Sequence, residues 1–290
     1  MRGLVIGGGG SLGAFSAGTL AGLNRDYDIV IGVSTGALMA PLVASRQFSL
    51  LKEAYTSVGQ EDIFSLNPFT KEGKISKWNA IKRSVQGKES VGETHNLRKT
   101  IEKFFPQAVY DAIKAEVVVG AQAVNVSPAY VKYFSSKESS FSTFKDGMWA
   151  SASPPFIGSI VTINGIEYVD GGVSEVLPMS YLYRRGCMEI DVMLHEPIKK
   201  EGSITKDATR DMFQLLSRIY SITRTEITSD DLATGLLNAQ LCGAKVNLYY
   251  LPEKLTDNVF IFNKEQMSGW WKMGYDLAFD ESRIVRYNFS

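Results

Sequence analysis

Cysteine and histidine are both scarce in this chain, with two of each. Cys187 and Cys242 are too few for a disulfide framework, which points to a reducing, cytoplasmic compartment. His95 and His195 belong to no His/Cys/carboxylate cluster with metal-ligand spacing, so neither a metal nor another cofactor is expected. Net charge is missing too. Lys plus Arg and Asp plus Glu cancel at 31 each, leaving no whole-molecule field to attract nucleic acid. No apolar run approaches the ~18 residues of a membrane span. The N-terminal run, Leu4-Val5-Ile6, is too short for a signal peptide. Together these absences predict a soluble protein, able to work at a membrane surface without crossing it.

What is present is an ordinary folded composition, 44% hydrophobic and 21% charged over 290 residues, with no repeat and no low-complexity linker. One domain, 1–290, is the simplest parse. Lys71, Lys74, Lys77, Lys82, Arg83 and Lys88 fall in one stretch, read here as a solvated face.

Short apolar runs at residues 4–6 and 29–31 are expected strands, each followed by a glycine-bearing turn and a helical pattern, 14–23 and 36–45. That order predicts an α/β fold with a mostly parallel central sheet sandwiched by helices. Residues 49–106 read as mostly helical and more polar. Further strands are expected at 114–124, 130–134, 190–194 and 246–251, and helices at 141–152, 207–228 and 264–279. Asn164-Gly165 between two apolar runs marks a hairpin with a type I′ turn.

Three motifs carry chemistry. Gly32-Val33-Ser34-Thr35-Gly36 is a G-x-S-x-G between a strand and a helix. There a serine is held on a sharp turn, with its hydroxyl at a helix N-terminus where the dipole favours negative charge. Gly7-Gly8-Gly9-Gly10-Ser11-Leu12-Gly13 follows the first strand. It satisfies G-x-G-x-x-G, yet the second strand ends in Ile31-Gly32-Val33-Ser34, without the acidic residue of a dinucleotide site. The same bare amides suit an oxyanion hole. Asp170-Gly171-Gly172 ends a later strand, where an Asp can be a turn former or the base a serine nucleophile requires. His195 keeps a second option open, since the order Ser34, Asp170, His195 suits a hydrolase triad. A catalytically silent binding module is the alternative to either enzyme.

In that order the three motifs resemble the patatin-like phospholipase family, whose pattern is G-G-G-x-x-G, then G-x-S-x-G, then D-G-G or D-G-A. Ala150-Ser151-Ala152-Ser153-Pro154-Pro155-Phe156 is similar to a segment found just upstream of the family's Asp, and Pro178 to a proline that follows it. The resemblance covers roughly residues 2–179. It implies a lipid acyl hydrolase of phospholipase A type with a Ser–Asp dyad: Ser34 as nucleophile, Asp170 as general base, and Gly8, Gly9 and Gly10 as oxyanion donors. A lipid substrate and transient membrane-surface contact follow. One position departs from the pattern, because Leu12 stands where the family usually has Arg or Lys. That leaves neutral lipids or simple acyl esters open beside phospholipids. Ile63, Phe64, Leu66, Phe69 and the Pro154-Pro155-Phe156 segment are candidates for an acyl channel, and Trp270-Trp271 for a bilayer contact.

Overall fold

The computed structural model describes residues 1–198 and 212–289. The chain opens with β1 (Arg2–Ile6), α1 (Gly13–Leu23), β2 (Ile29–Val33) and α2 (Thr35–Ala44). A helical stretch follows: α3 (Phe48–Thr56), α4 (Gln60–Ile63), α5 (Lys77–Val85), α6 (His95–Phe104) and α7 (Gln107–Asp111). Next come β3 (Glu116–Ala123), β4 (Val131–Ser135), α8 (Phe141–Ser151), β5 (Val161–Ile163) and β6 (Ile166–Asp170). The last part holds α9 (Met179–Arg184), β7 (Glu189–Leu194), α10 (Met212–Cys242), β8 (Lys245–Tyr250), α11 (Lys264–Leu277) and β9 (Val285–Asn288).

The strands form one nine-stranded sheet with paired order β5-β6-β3-β2-β1-β7-β8-β9, and β4 also pairs with β3. β3, β2, β1, β7 and β8 are mutually parallel, while β4, β6, β5 and β9 pair antiparallel. The parallel strands are mostly apolar because helices cover both faces, with Glu116, Gln122 and Asp191 as buried polar exceptions. Side-chain alternation assigns them to two cores. Leu4 and Ile6 of β1 face one core with Phe15, Met39 and Trp270; Val5 faces the other with Leu182, Ile190 and Ala239.

Helix α1 is buried nearly all round rather than on one face, because α11 lies against it on the side away from the sheet. The two backbones touch: a β-carbon on Gly18 would stand 1.9 Å from the Trp271 carbonyl oxygen. The same packing decides the burial of the two candidate tryptophans. Trp270 is core, and Trp271 is half-buried and stacks on Tyr275. The Asn164-Gly165 hairpin forms as expected, both residues at positive φ. Of the helix expected at 207–228, residues 207–211 lie outside the described residues; the rest belongs to α10, which runs on to Cys242. No helix among the described residues is long and apolar enough to cross a membrane.

β3 positions the site. Alternate residues of a strand address opposite edges. The Glu116 N–H donates to Asp28 O and the Val124 N–H to Glu167 O, so β2 and β6 lie along the same edge of β3. The Ala123 N–H donates to Tyr130 O on the other edge, beside β4. β2 ends at Val33, opposite Gly120, and β6 runs the other way to end at Asp170, opposite Ala121. The two strands thus meet end to end.

Candidate active site

Ser34 sits between β2 and α2 at φ 57°, ψ −124°, a conformation that side chains other than glycine rarely adopt. The close turn depends on the motif's glycines. A β-carbon on Gly32 would stand 2.2 Å from the Gly36 carbonyl oxygen, and one on Gly36 2.0 Å from that of Ile6. The Ser34 N–H donates to Ser151 Oγ at 3.0 Å. Behind the turn, the buried Tyr55 hydroxyl donates to the Thr35 carbonyl at 2.9 Å and anchors the first turn of α2.

Asp170 ends β6 and is buried, 3% exposed. Its N–H donates to the Ser153 carbonyl at 2.9 Å, and its Oδ1 accepts from the Gly172 N–H at 2.8 Å. The end of α8 and the turn after it therefore hold both halves of the pair, Ser34 through Ser151 and Asp170 through Ser153. Burial raises the Asp170 carboxyl to about 6. Hydrogen bonding from the Ser34 side chain and the Gly172 amide, and the Arg224 charge, act the other way.

The glycine loop lies across from Ser34. A β-carbon on Gly8 would stand 3.0 Å from Ser34 Cβ. Neither the Gly8 nor the Gly9 N–H is hydrogen-bonded among the described residues. Gly10 has φ 54°, and a β-carbon there would collide with the Val259 carbonyl oxygen at 2.2 Å. That carbonyl accepts the Ser11 N–H at 2.8 Å and fixes the loop. Leu12 is buried in the core.

His195 packs beneath the loop, where a β-carbon on Gly9 would reach its Cγ at 2.4 Å. Among the described residues neither ring nitrogen bonds to Ser34 or Asp170, and the Gly7 and Gly8 backbone lies against the imidazole instead. Burial, then the Arg224 charge, push it down to about 3, which keeps it neutral. His95 is exposed at the start of α6. Among the described residues no three His, Cys, Asp or Glu side chains gather as a metal-ligand group.

An apolar cavity of about 490 Å³ opens between α5 and α10, lined by Phe69, Val85, Phe156, Leu216, Tyr220 and Phe260 among others. Of the channel candidates, Phe69, Pro155 and Phe156 line it; Ile63, Phe64, Leu66 and Pro154 do not. Tyr220 joins the cavity to the site: burial, then the Asp170 charge, hold its phenol above the ordinary range. The lysines at 71–88 are exposed, as a solvated face requires, but Arg83 turns inward to Glu93 at 2.6 Å.

Sequence reasoning missed Arg224 and Tyr220, which α10 brings in from far along the chain. Ser151 had a signal in the Ala150–Phe156 segment, though not its contact with Ser34.

A family model of patatin-like phospholipases matches residues 4–183. The uncharacterized protein YjjU of Escherichia coli (strain K12) is 22% identical over 199 residues, which is 67% of this chain and 52% of that protein. The chain thus spans about half the length of this curated relative. The crystal structure of VipD from Legionella pneumophila aligns over 99% of this chain and 68% of that one, at 12% identity and a TM-score of 0.43. With the family match reaching from β1 into α9, across all three glycine-bearing motifs, the chain belongs to the patatin-like phospholipase family.

Proposed function

We propose that the protein hydrolyses lipid acyl esters as a phospholipase A-type enzyme, with Ser34 as nucleophile, Asp170 as general base and the Gly8–Gly10 amides as oxyanion hole. The observation that carries this reading is the meeting of β2 and β6 on one edge of β3, with Gly8 against Ser34 and the Gly8 and Gly9 amides unclaimed among the described residues.

The chemistry follows from those groups. Asp170 takes the Ser34 hydroxyl proton as Oγ attacks the acyl carbonyl. The tetrahedral oxyanion forms against the glycine amides, each such donor commonly worth about 2.7–4 kcal/mol. Collapse expels the lipid alcohol, which takes the proton from Asp170, and leaves an acyl ester on Ser34. Water, deprotonated by Asp170, then attacks that ester; collapse releases the fatty acid as Asp170 returns the proton to Ser34 Oγ. A carboxyl near 6 is ionised at neutral pH and still basic enough to accept a proton. His195 is not needed for any step.

The apolar cavity is suited to the acyl chain, its size falling within the range of small-molecule sites, about 300–1,000 Å³. Trp78 and Val85 on α5 are 76% and 84% exposed, and Val85 and Ile81 line the cavity. An apolar rim of this kind supports transient contact with a lipid surface.

The test is fluorophosphonate labelling of wild type and Ser34→Ala, with fatty-acid release from phospholipids, monoacylglycerols and triacylglycerols. Labelling and release lost together in Ser34→Ala are expected. Wild-type release by that variant refutes the nucleophile, and a wild type that neither labels nor releases is a silent module. Release from neutral glycerides alone overturns the phospholipid assignment and leaves the hydrolase.

A further inference from the structure

We infer that Arg224, on α10, is the positioning residue of the glycine loop, supplying from a distant helix the cation that Leu12 does not. This rests on the dyad reading above.

The Arg224 guanidinium donates to the Gly8 carbonyl oxygen across 216 residues of sequence. In a trans peptide the carbonyl and the following N–H point in opposite directions. Pinning the Gly8 oxygen therefore fixes where the Gly9 N–H points. The constraint is needed because glycines on both sides of that peptide leave its flanking torsions soft. Flipped, the same peptide would aim its carbonyl where an oxyanion forms, turning a stabilising dipole into an opposing one. A guanidinium has donors and no acceptor, so it holds the carbonyl-outward form and repels the flipped one. Among the described residues no salt bridge takes up the charge of Arg224. It remains available to the loop and to Asp170.

The groups facing Asp170 come from three places: Ser34 after β2, the Gly172 amide in its own turn, and Arg224 and Tyr220 from α10. Of these, Arg224 is the cation, and it acts to lower the Asp170 carboxyl. Removing it has two separable consequences. Loop orientation affects turnover, and loss of the charge moves the acid limb of the pH–rate profile upward. A residue that merely packed α10 would produce the first without the second.

The experiment compares wild type, Ser34→Ala, Arg224→Met, Arg224→Gln and Arg224→Lys on a short soluble acyl ester. It measures kcat and KM from pH 4.5 to 8.5, with thermal melts as the folding control. The Met and Gln variants should lose about tenfold or more in kcat with KM within about twofold, because the donors act on charge that develops in the transition state. Their acid limbs should lie above that of wild type. Arg224→Lys should keep the wild-type limb with an intermediate kcat, since ammonium retains the charge and loses the planar fork. A kcat within twofold of wild type, or an unmoved acid limb, in the Met and Gln variants overturns the inference. If Arg224→Met does not fold, Arg224→Gln decides alone. Full turnover by Ser34→Ala would instead refute the dyad itself, and this inference with it.

Discussion

Replacing Ser34 by glycine should make the protein more stable while abolishing its chemistry. The reasoning starts from φ 57°, ψ −124° at Ser34. A non-glycine residue held there costs about 1–3 kcal/mol, which glycine escapes. Glycine also loosens the unfolded chain, and that opposes the gain by about 0.4–1 kcal/mol. The net expectation is about 0.5–2 kcal/mol in favour of Ser34→Gly over Ser34→Ala. The alanine variant is the proper reference, because it lacks the hydroxyl and keeps the strained β-carbon. For a chain of this size each kcal/mol moves Tm by about 2 °C, so Ser34→Gly should melt about 1–4 °C above Ser34→Ala. Scanning calorimetry or a urea titration at pH 7 measures the difference, and fluorophosphonate labelling shows that both variants are inert. A glycine variant that melts at or below the alanine variant refutes stored strain at the serine turn.

Asp170→Asn should lose nearly as much activity as Ser34→Ala, since the proposed dyad acts as one unit. It should also stabilise the fold at high pH. A carboxyl at about 6 when folded and ~3.9 when unfolded favours folding below pH 4, an advantage lost as pH rises through 6. The variant should therefore exceed wild type by up to about 3 kcal/mol at pH 8 and match it near pH 4; a gap that ignores pH counts against a buried carboxylate. Gly9→Ala should slow turnover more than it raises KM, because its β-carbon is driven against His195; His195→Ala in the same background should restore part of the loss. If the double variant is as slow as the single, the collision is not the cause. Ser151→Ala leaves the Ser34 N–H without its acceptor and should cost about 1–3 kcal/mol in stability along with a fall in kcat. Urea unfolding beside ester kinetics tests both.

The glycine-bearing turns and the parallel sheet were legible in the sequence for a common physical reason. Strands buried on both faces must be continuous apolar runs, and backbones that approach this closely must be glycine. Leu4-Val5-Ile6 with Gly7 to Gly13, and Ile29-Val30-Ile31 with Gly32 to Gly36, carry both signals at once. β9 carries neither: Val285–Asn288 is a short edge strand with alternate residues exposed. α10 runs past the expected end at 228, through Asp230, Asp231 and Gly235, to Cys242. The structure absorbs Asp231 and Gly235 and leaves Asp230 exposed. Asp231 accepts the Val176 and Leu177 amides, and Met179 packs where a side chain on Gly235 would stand. Arg224 was hidden because its partner is a carbonyl, which leaves no mark in a sequence.

The end-to-end meeting of β2 and β6 has a consequence for how the chain can be cut and rearranged. The spacing of Ser34 and Asp170 is set by the step from Gly120 to Ala121, one strand residue of about 3.3 Å. Segments that leave and rejoin β3, residues 34–115 and 124–165, can change length without altering that step. New chain ends opened in the exposed loop at 70–74 should leave the pair intact, whereas one residue inserted between Gly120 and Ala121 would separate its halves. A chain truncated before β6 keeps Ser34 and lacks Asp170, the base proposed above. The pair becomes whole only when a hairpin made more than a hundred residues after Ser34 docks on the free end of β3, so reactivity at that serine would serve as a clock for the completion of the sheet.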